Sequence, residues 1–361
     1  MLSSKLKLIY KFIFSNMHLF IILLIIIFLI FFTILSHKGN KKNIEHYAGF
    51  MSHDFLHFLQ EKNYKINNEK KLILKCSENN SCKEISYQYH FNTFDSILLC
   101  NDKFETNKLL NKNNIPVPIS FLVPINITQK NLESLLIVNN INYPIVIKDN
   151  NGTFGLNVYT NINNTANAIL TLKELSKIRN RALIEEQING DCYRIFVFNK
   201  QIIDIVKREK PYIIGNGITT IKELINIRNK NQLELKLYPT NNININYINQ
   251  QGYKIESVLE SNKKIYITNI INFHNGAKVY RININTVSPK NLKMFSDICD
   301  ILKINCIGID YLSDDINIDY DLNNGKILEI NGTPDTEIHT LLNKDKDEIA
   351  KYFFKHIVDN I

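Results

Sequence analysis

Residues 306–312 run Cys306-Ile307-Gly308-Ile309-Asp310-Tyr311-Leu312, and residues 327–331 run Ile327-Leu328-Glu329-Ile330-Asn331. Both read as apolar β-strands interrupted by a carboxylate. A carboxylate buried without a partner is costly, so the two acids need something to neutralise them. Strand side chains alternate faces, which points Glu329 and Asn331 the same way, and an adjacent strand can set Asp310 beside them. Three oxygen donors on one face suit Mg2+, a small hard cation usually held by one or two carboxylates together with substrate phosphates. The pattern implies a nucleotide partner. For these three residues taken alone, the solvated face of an edge strand is the plainer alternative.

Working outward, basic groups close other strands. Tyr143-Pro144-Ile145-Val146-Ile147-Lys148 ends in a lysine and leads into Asn150-Asn151-Gly152-Thr153-Phe154-Gly155, a loop able to bring backbone N–H groups against phosphates. Ala182-Leu183-Ile184-Glu185-Glu186-Gln187, followed by Gly190 and Arg194, makes a strand, a polar hinge and a second strand whose first arginine suits phosphate. Lys207 and Arg208 close the strand after that. Each cation by itself is an ordinary surface residue; the ordered set is what carries weight.

Apolar spacing of three and four predicts helices over 104–113, 165–178, 221–229, 290–302 and 345–358. Thr220 and Glu223 form a capping box, and Ser288-Pro289 sets a capping hydroxyl before a proline whose missing N–H is harmless there. Strands are expected at 143–148, 181–186, 193–198, 201–207, 265–269, 307–312 and 327–330. This mixed order excludes an all-α or all-β fold.

With 361 residues, 45% hydrophobic and 22% charged, the chain can bury one or two cores, which excludes disorder. Only 12 Gly and 8 Pro exclude linker-like low complexity. The net charge of +8 is spread over scattered lysines, with no basic stripe interleaved with aromatics, so no nucleic acid partner is expected. The six cysteines show no CxxC pair and no zinc spacing. Cys76 and Cys82 are able to pair but nothing demands it, and reduced thiols are the expectation.

From Met17 to Leu35 the run MHLFIILLIIIFLIFFTIL carries no Asp, Glu, Lys or Arg, close to the ~20 residues that cross a bilayer. Its apolar core exceeds that of a signal peptide and no small-x-small site follows before Lys38, so it reads as an uncleaved anchor. Lysines flank both ends, at 5, 7 and 11 and at 38, 41 and 42, so charge does not choose an orientation. The expected organisation is a basic tail over 1–16, a transmembrane helix over 17–35, a linker over 36–45, a divergent region over 46–100, a mixed α+β domain over 101–341 and a C-terminal helix over 342–361.

Taken in order, these segments resemble the ATP-grasp superfamily, most closely the cyanophycin synthetases and the ligase half of bifunctional glutathione synthetases. The likeness runs from about Leu56 to His339. It covers Asp102-Lys103, Ile115-Pro116-Val117-Pro118, the Lys148 strand with its glycine loop, Ile184-Glu185-Glu186 through Gly190 to Arg194, and Arg208-Glu209-Lys210-Pro211 to Gly215-Asn216-Gly217. Thr220, Leu224, Gly308-Ile309-Asp310, Leu328-Glu329-Ile330-Asn331 and His339 complete it. The resemblance implies an α+β fold of two lobes clasping ATP, and a ligase that phosphorylates a carboxylate to an acyl phosphate before an amine attacks it. Small-molecule carboxylate and amine substrates, amino acid or peptide-like, are its implied partners, with ATP and two Mg2+ ions as cofactors. By resemblance Lys148 holds ATP phosphates together with the loop glycines Gly152 and Gly155, and Glu185, Glu186 and Gln187 contact adenine at the hinge. Asp310, Glu329 and Asn331 carry the metal. Arg194 and Arg208 are expected at the phosphate or acyl phosphate.

The chain departs from that pattern at defined places. Relatives carry a phosphate-binding lysine where this chain has Asn107. The neighbouring Lys108 points about 100° away on a helix, whereas Lys103, four residues earlier, shares the face. The acidic ribose-contacting position falls on Cys192, with Asp191 beside it; an expected arginine falls on Thr268, with Arg281 further along the chain. Asn157 takes the place of the third loop glycine, and Asn216 that of the acid in Gly-Asp-Gly. Two readings stand: a membrane-anchored Mg2+- and ATP-dependent carboxylate–amine ligase, or a degenerate ATP-grasp domain that serves as an anchored nucleotide-binding or interaction module. Because ATP is cytosolic, the first expects everything after Lys38 on the cytosolic side.

Overall fold

The computed structural model describes residues 92–340, apart from 153–154, 236 and 335–336, together with three short strands at 65–67, 72–76 and 82–86. The membrane-span expectation at 17–35, its flanks at 1–16 and 36–45 and the helix expected at 345–358 lie outside these residues. Among the described residues no helix is long and apolar enough to cross a membrane. The chain divides into two compact units, 1–88 and 89–361. The first contains an antiparallel sheet of β1 (Lys65–Asn67), β2 (Leu72–Cys76) and β3 (Cys82–Ser86), in which Cys76 and Cys82 are register partners.

The second unit holds the expected α+β architecture. Its elements are α1 (Phe94–Asn101), α2 (Lys103–Lys112), β4 (Ser120–Pro124), α3 (Gln129–Val138), β5 (Ile145–Lys148), β6 (Val158–Ile162), α4 (Thr165–Leu175), β7 (Arg181–Glu186), β8 (Asp191–Phe198) and β9 (Gln201–Glu209). β10 (Tyr212–Ile214), α5 (Ile221–Glu234), α6 (Ile245–Gln250), β11 (Lys264–Tyr266), β12 (Lys278–Arg281), α7 (Pro289–Leu302), β13 (Cys306–Ser313), β14 (Lys326–Asn331) and α8 (Glu337–Thr340) follow.

Among the described residues they build several hydrophobic cores. A four-stranded sheet in the order β4-β7-β5-β6 buries Ile145, Ile147 and Ile184 against Leu132, Leu136, Leu172 and Leu175 of α3 and α4. A five-stranded sheet in the order β12-β9-β8-β13-β14 packs Ile195, Val197, Ile307 and Ile309 against α7. A hairpin of β10 and β11 carries α5 and α6. Helix α7 turns Met294, Phe295, Ile298 and Leu302 inward at helical spacing, and each buried side chain of this kind contributes about 2 kcal/mol before entropy is counted. Ser288 caps it by accepting from Lys290 N and Asn291 N, with Pro289 in its first turn, as the sequence predicts. The Thr220 and Glu223 capping box is also formed.

Boundaries differ where a turn rather than a pattern ends the element. α5 runs to Glu234 rather than to 229, while the strand expected over 265–269 pairs only at Lys264–Tyr266. Helix α3 goes unread in the sequence although Thr128 caps it through Asn131 N. Its last residues, Ile137 and Val138, are exposed and blur the apolar period.

Candidate active site

In the five-stranded sheet Ile195, Val197, Ile307 and Ile309 face the α7 core, so alternation turns Cys192, Arg194, Asp204, Arg208, Gly308 and Asp310 to the opposite face. Asp310 is the register partner of Arg194 on one side and of Glu329 on the other. Arg194 Nη1 donates to Asp310 Oδ1 at 2.7 Å, and Arg208 Nη2 lies 3.1 Å from Oδ2. Burial alone pushes the Asp310 carboxyl up, but the two guanidinium groups outweigh it and hold it below the usual carboxylate range. Gly308 makes this possible: a Cβ there would sit 3.1 Å from Arg194 Cζ and 3.0 Å from Pro334 Cβ.

The four-stranded sheet supplies the other side. Lys148 ends β5 and Glu185 lies on β7 opposite Val146, two residues away along the same face. Their Nζ and Oε2 atoms stand 2.7 Å apart with both side chains buried. Burial raises the Glu185 carboxyl, and Lys148 pulls against that rise. From α2, Asn107 Nδ2 reaches Glu185 Oε1 at 3.4 Å, while Lys103 Nζ donates to Gly152 O at 2.5 Å and lies 3.4 Å from Glu329 Oε1. Lys108, one residue past Asn107, is exposed and pairs with Glu105. The face shared by Lys103 and Asn107 is therefore the one that looks inward, as helical geometry predicts.

The glycine loop is fastened to the start of α2. Asn150 Nδ2 donates to Asp102 Oδ1 at 2.8 Å, Phe104 N donates to Asn150 Oδ1 at 2.9 Å, and Asn151 Nδ2 donates to Asn101 O at 3.1 Å. Gly155 has φ 69°, and Asn157, in the third loop-glycine position, takes φ 57° in the same left-handed region. Gly215 is irreplaceable for packing, since a Cβ would meet Glu260 O at 2.0 Å. Asn216 supports the same turn by accepting from Ile218 N and Thr219 N.

The structure thus gathers Lys103, Lys148, Gly152, Glu185, Arg194, Arg208, Asp310 and Glu329. Asn331, two residues on from Glu329, is the register partner of Gly308 and turns its amide nitrogen toward Gly308 O at 3.5 Å. Two carboxylates at paired positions and an amide oxygen are hard donors, and they fit Mg2+. The hinge side chains are engaged within the chain: Glu185 is buried on Lys148, Glu186 accepts from Lys326 Nζ and from Ile119 N, and Gln187 exchanges hydrogen bonds with Asn161. Asp191 pairs with Lys207 and falls on the face of Tyr193 and Ile195, opposite Arg194. Cys192 is the one of the two on the site face, where Arg208 Nη2 donates to its Sγ at 3.0 Å; burial raises its thiol pKa, against the pull of Arg208. Thr268 is fully buried.

Arg281 meets a residue that sequence reasoning missed. Its Nε donates to Asp204 Oδ1 at 2.8 Å, and His339 Nδ1 lies 2.8 Å from Asp204 Oδ2. Asp204 interrupts the run Gln201-Ile202-Ile203-Asp204-Ile205-Val206 as Asp310 interrupts its own, so the signal was present.

Residues 100–212 match the family described as the RimK-like ATP-grasp domain. The cyanophycin synthetase of Synechocystis sp. is 26% identical over 249 residues, covering 66% of this chain and 28% of that protein. The glutathione biosynthesis bifunctional protein of Clostridium perfringens is 27% identical over 271 residues, covering 72% of this chain and 34% of that protein. The chain therefore spans about a third of the length of the curated relatives it matches. The crystal structure of a bifunctional glutathione synthetase from Pasteurella multocida superposes with a TM-score of 0.56 at 15% identity, over 81% of this chain and 42% of that one, which shows a shared fold. Lys103, Lys148, Glu185, Arg194 and Arg208 fall within the span that is similar to a RimK-like ATP-grasp domain, whereas Asp310 and Glu329 lie beyond it.

Proposed function

We propose that the protein is a membrane-anchored, ATP- and Mg2+-dependent carboxylate–amine ligase that forms an amide bond through an acyl phosphate. The observation that carries this is the meeting of Lys103 and Lys148 from one side with Asp310 and Glu329 from the other, four charged groups in one site. Phosphoryl transfer asks little covalent help of a protein, so positioning and charge neutralisation suffice. Lys148 and the loop of Gly152 and Gly155 would bind the phosphates, with Lys103 in the role that Asn107 cannot fill. Asp310, Glu329 and Asn331 would hold two Mg2+ ions, whose contribution is to neutralise phosphate charge. Arg194 and Arg208 would stabilise the transferred phosphoryl or acyl phosphate, and Arg281, held by Asp204, would orient the second substrate. The hinge at Glu185, Glu186 and Gln187 would contact the adenine.

The run at 17–35 would anchor the chain as a single-pass membrane protein with the remainder in the cytosol, where ATP is. Protease accessibility of the segment after Lys38 in sealed membranes tests that placement; a protected domain overturns it. The catalytic reading is tested by ADP release with a panel of amino acids and small peptides as carboxylate and amine, with and without Mg2+. Release that needs both an added substrate and Mg2+, and that Glu329→Ala abolishes, supports it. Asn107, Cys192 and Thr268 favour a second reading, an anchored ATP-grasp domain that binds nucleotide without turnover. Nucleotide binding with no ADP release from any substrate pair selects that one.

A further inference from the structure

Every carboxylate of the site already has a cation. Glu185 has Lys148 at 2.7 Å, Asp310 has Arg194 and Arg208 at 2.7 and 3.1 Å, and Glu329 has Lys103 at 3.4 Å. Lys103 is buried and reaches two places at once, Glu329 on β14 and Gly152 O in the glycine loop. Its backbone is fixed by the bonds that tie the loop to residues 101–104, so phosphate arriving at that loop arrives at Lys103. A buried ammonium needs an anion, and a carboxylate beside one is a poor ligand for a second cation.

Resting on the ATP-grasp ligase reading, we propose that Lys103 and a divalent cation compete for Glu329, so that nucleotide phosphates, by drawing Lys103 onto themselves, release Glu329 to the metal. Binding is then ordered. The ion enters with or after nucleotide, and Lys103 sets the metal affinity of the empty site without being a metal ligand.

The test is Mn2+ binding to the full chain in detergent, followed by the electron paramagnetic resonance of free Mn2+, alone and with a non-hydrolysable ATP analogue. In the wild type, Mn2+ alone should bind at least about tenfold more weakly than with the analogue, the size expected for one like charge at ion-pair distance in a screened cleft. Lys103→Met should bind Mn2+ alone about tenfold more tightly than the wild type and lose affinity for the analogue. Lys103→Arg, which keeps the charge, should behave as the wild type, and Glu329→Gln should lose the site in every background. Thermal melting establishes that each variant folds, and Lys103→Gln replaces the Met variant if that one does not. Unchanged or weaker Mn2+ binding in the charge-removing variants overturns the competition. So does a wild type that binds Mn2+ as tightly alone as with the analogue, a result that needs no variant. Either leaves the ligase reading standing, whereas absence of Mn2+ binding with and without nucleotide overturns both.

Discussion

Lys148 and Glu185 stand 2.7 Å apart on neighbouring strands with both side chains buried. The pair is worth little against two apolar residues, but removing one member leaves the other charged and alone. Glu185→Gln is expected to cost about 3 kcal/mol in urea unfolding near neutral pH. Lys148→Met has the opposite remedy, because a carboxylate can take a proton. Glu185 already has its folded value raised by burial, so it binds more protons folded than unfolded, and stability rises as pH falls from the raised value toward the unfolded one. The Lys148→Met defect should therefore shrink as pH falls from neutrality toward the ordinary glutamate value of 4.5, and a defect of constant size over that range counts against the geometry.

Asp310 carries the opposite sign. Arg194 and Arg208 hold its folded value below the ordinary aspartate value of 3.8 despite burial. Its contribution is fully present above that ordinary value and is lost as pH falls through the lower folded value. Asp310→Asn should remove that acid-dependent loss and destabilise the protein at neutral pH by about 3 kcal/mol, since two buried guanidinium groups lose their shared counter-charge. Stability measured by denaturant from pH 7 downward checks both halves of the expectation.

Gly308 is where the fold makes room for Arg194. An added methyl group would stand 3.1 Å from Arg194 Cζ and 3.0 Å from Pro334 Cβ, closer than neighbours tolerate without moving. Gly308→Ala should displace the guanidinium from Asp310 and, on the proposed ligase function, lower ADP release at least tenfold while costing only about 1–3 kcal/mol of stability. A variant with full turnover would mean that the Arg194 and Asp310 contact is not needed for the chemistry.

The strands and helices that carry the site were legible because each combines an apolar period with one discordant polar residue. Asp310, Glu329 and Lys148 stand out against Ile and Val, and the capping of α5 and α7 is local chemistry readable from four residues. What the sequence left open is mostly a matter of which face and which partner. Asp191 and Cys192 are adjacent, so a strand sends them to opposite faces, and only register with Lys207 and Arg208 decides which one joins the site. Glu185 reads as a hinge residue because it opens the polar run Glu185-Glu186-Gln187, but its side chain is claimed by Lys148 from another strand. Asp204 escaped notice because its partners, Arg281 and His339, come from separate elements brought together only by folding.

Asn92 gives the last expectation, in a stretch where sequence reading finds nothing specific. It is buried, and its side chain closes four backbone bonds: Nδ2 donates to Cys306 O and Gly332 O, both at 2.6 Å, while Oδ1 accepts from Asn305 N at 2.9 Å and Cys306 N at 2.8 Å. These groups flank the first residue of β13 and the residue after β14, the two strands that carry Asp310, Glu329 and Asn331. A single amide thereby ties together the ends of the β13–β14 hairpin. Asn92→Ala strands two buried carbonyls and two N–H groups, and at about 1 kcal/mol or more for each the expected loss is about 4 kcal/mol. Asn92→Asp keeps both acceptor bonds and loses only the donors, so it should fall between alanine and wild type. Amide hydrogen exchange at Cys306 should speed up in the alanine variant and stay slow in the aspartate one. Equal exchange in the two variants would place the stability elsewhere than in the Oδ1 contacts.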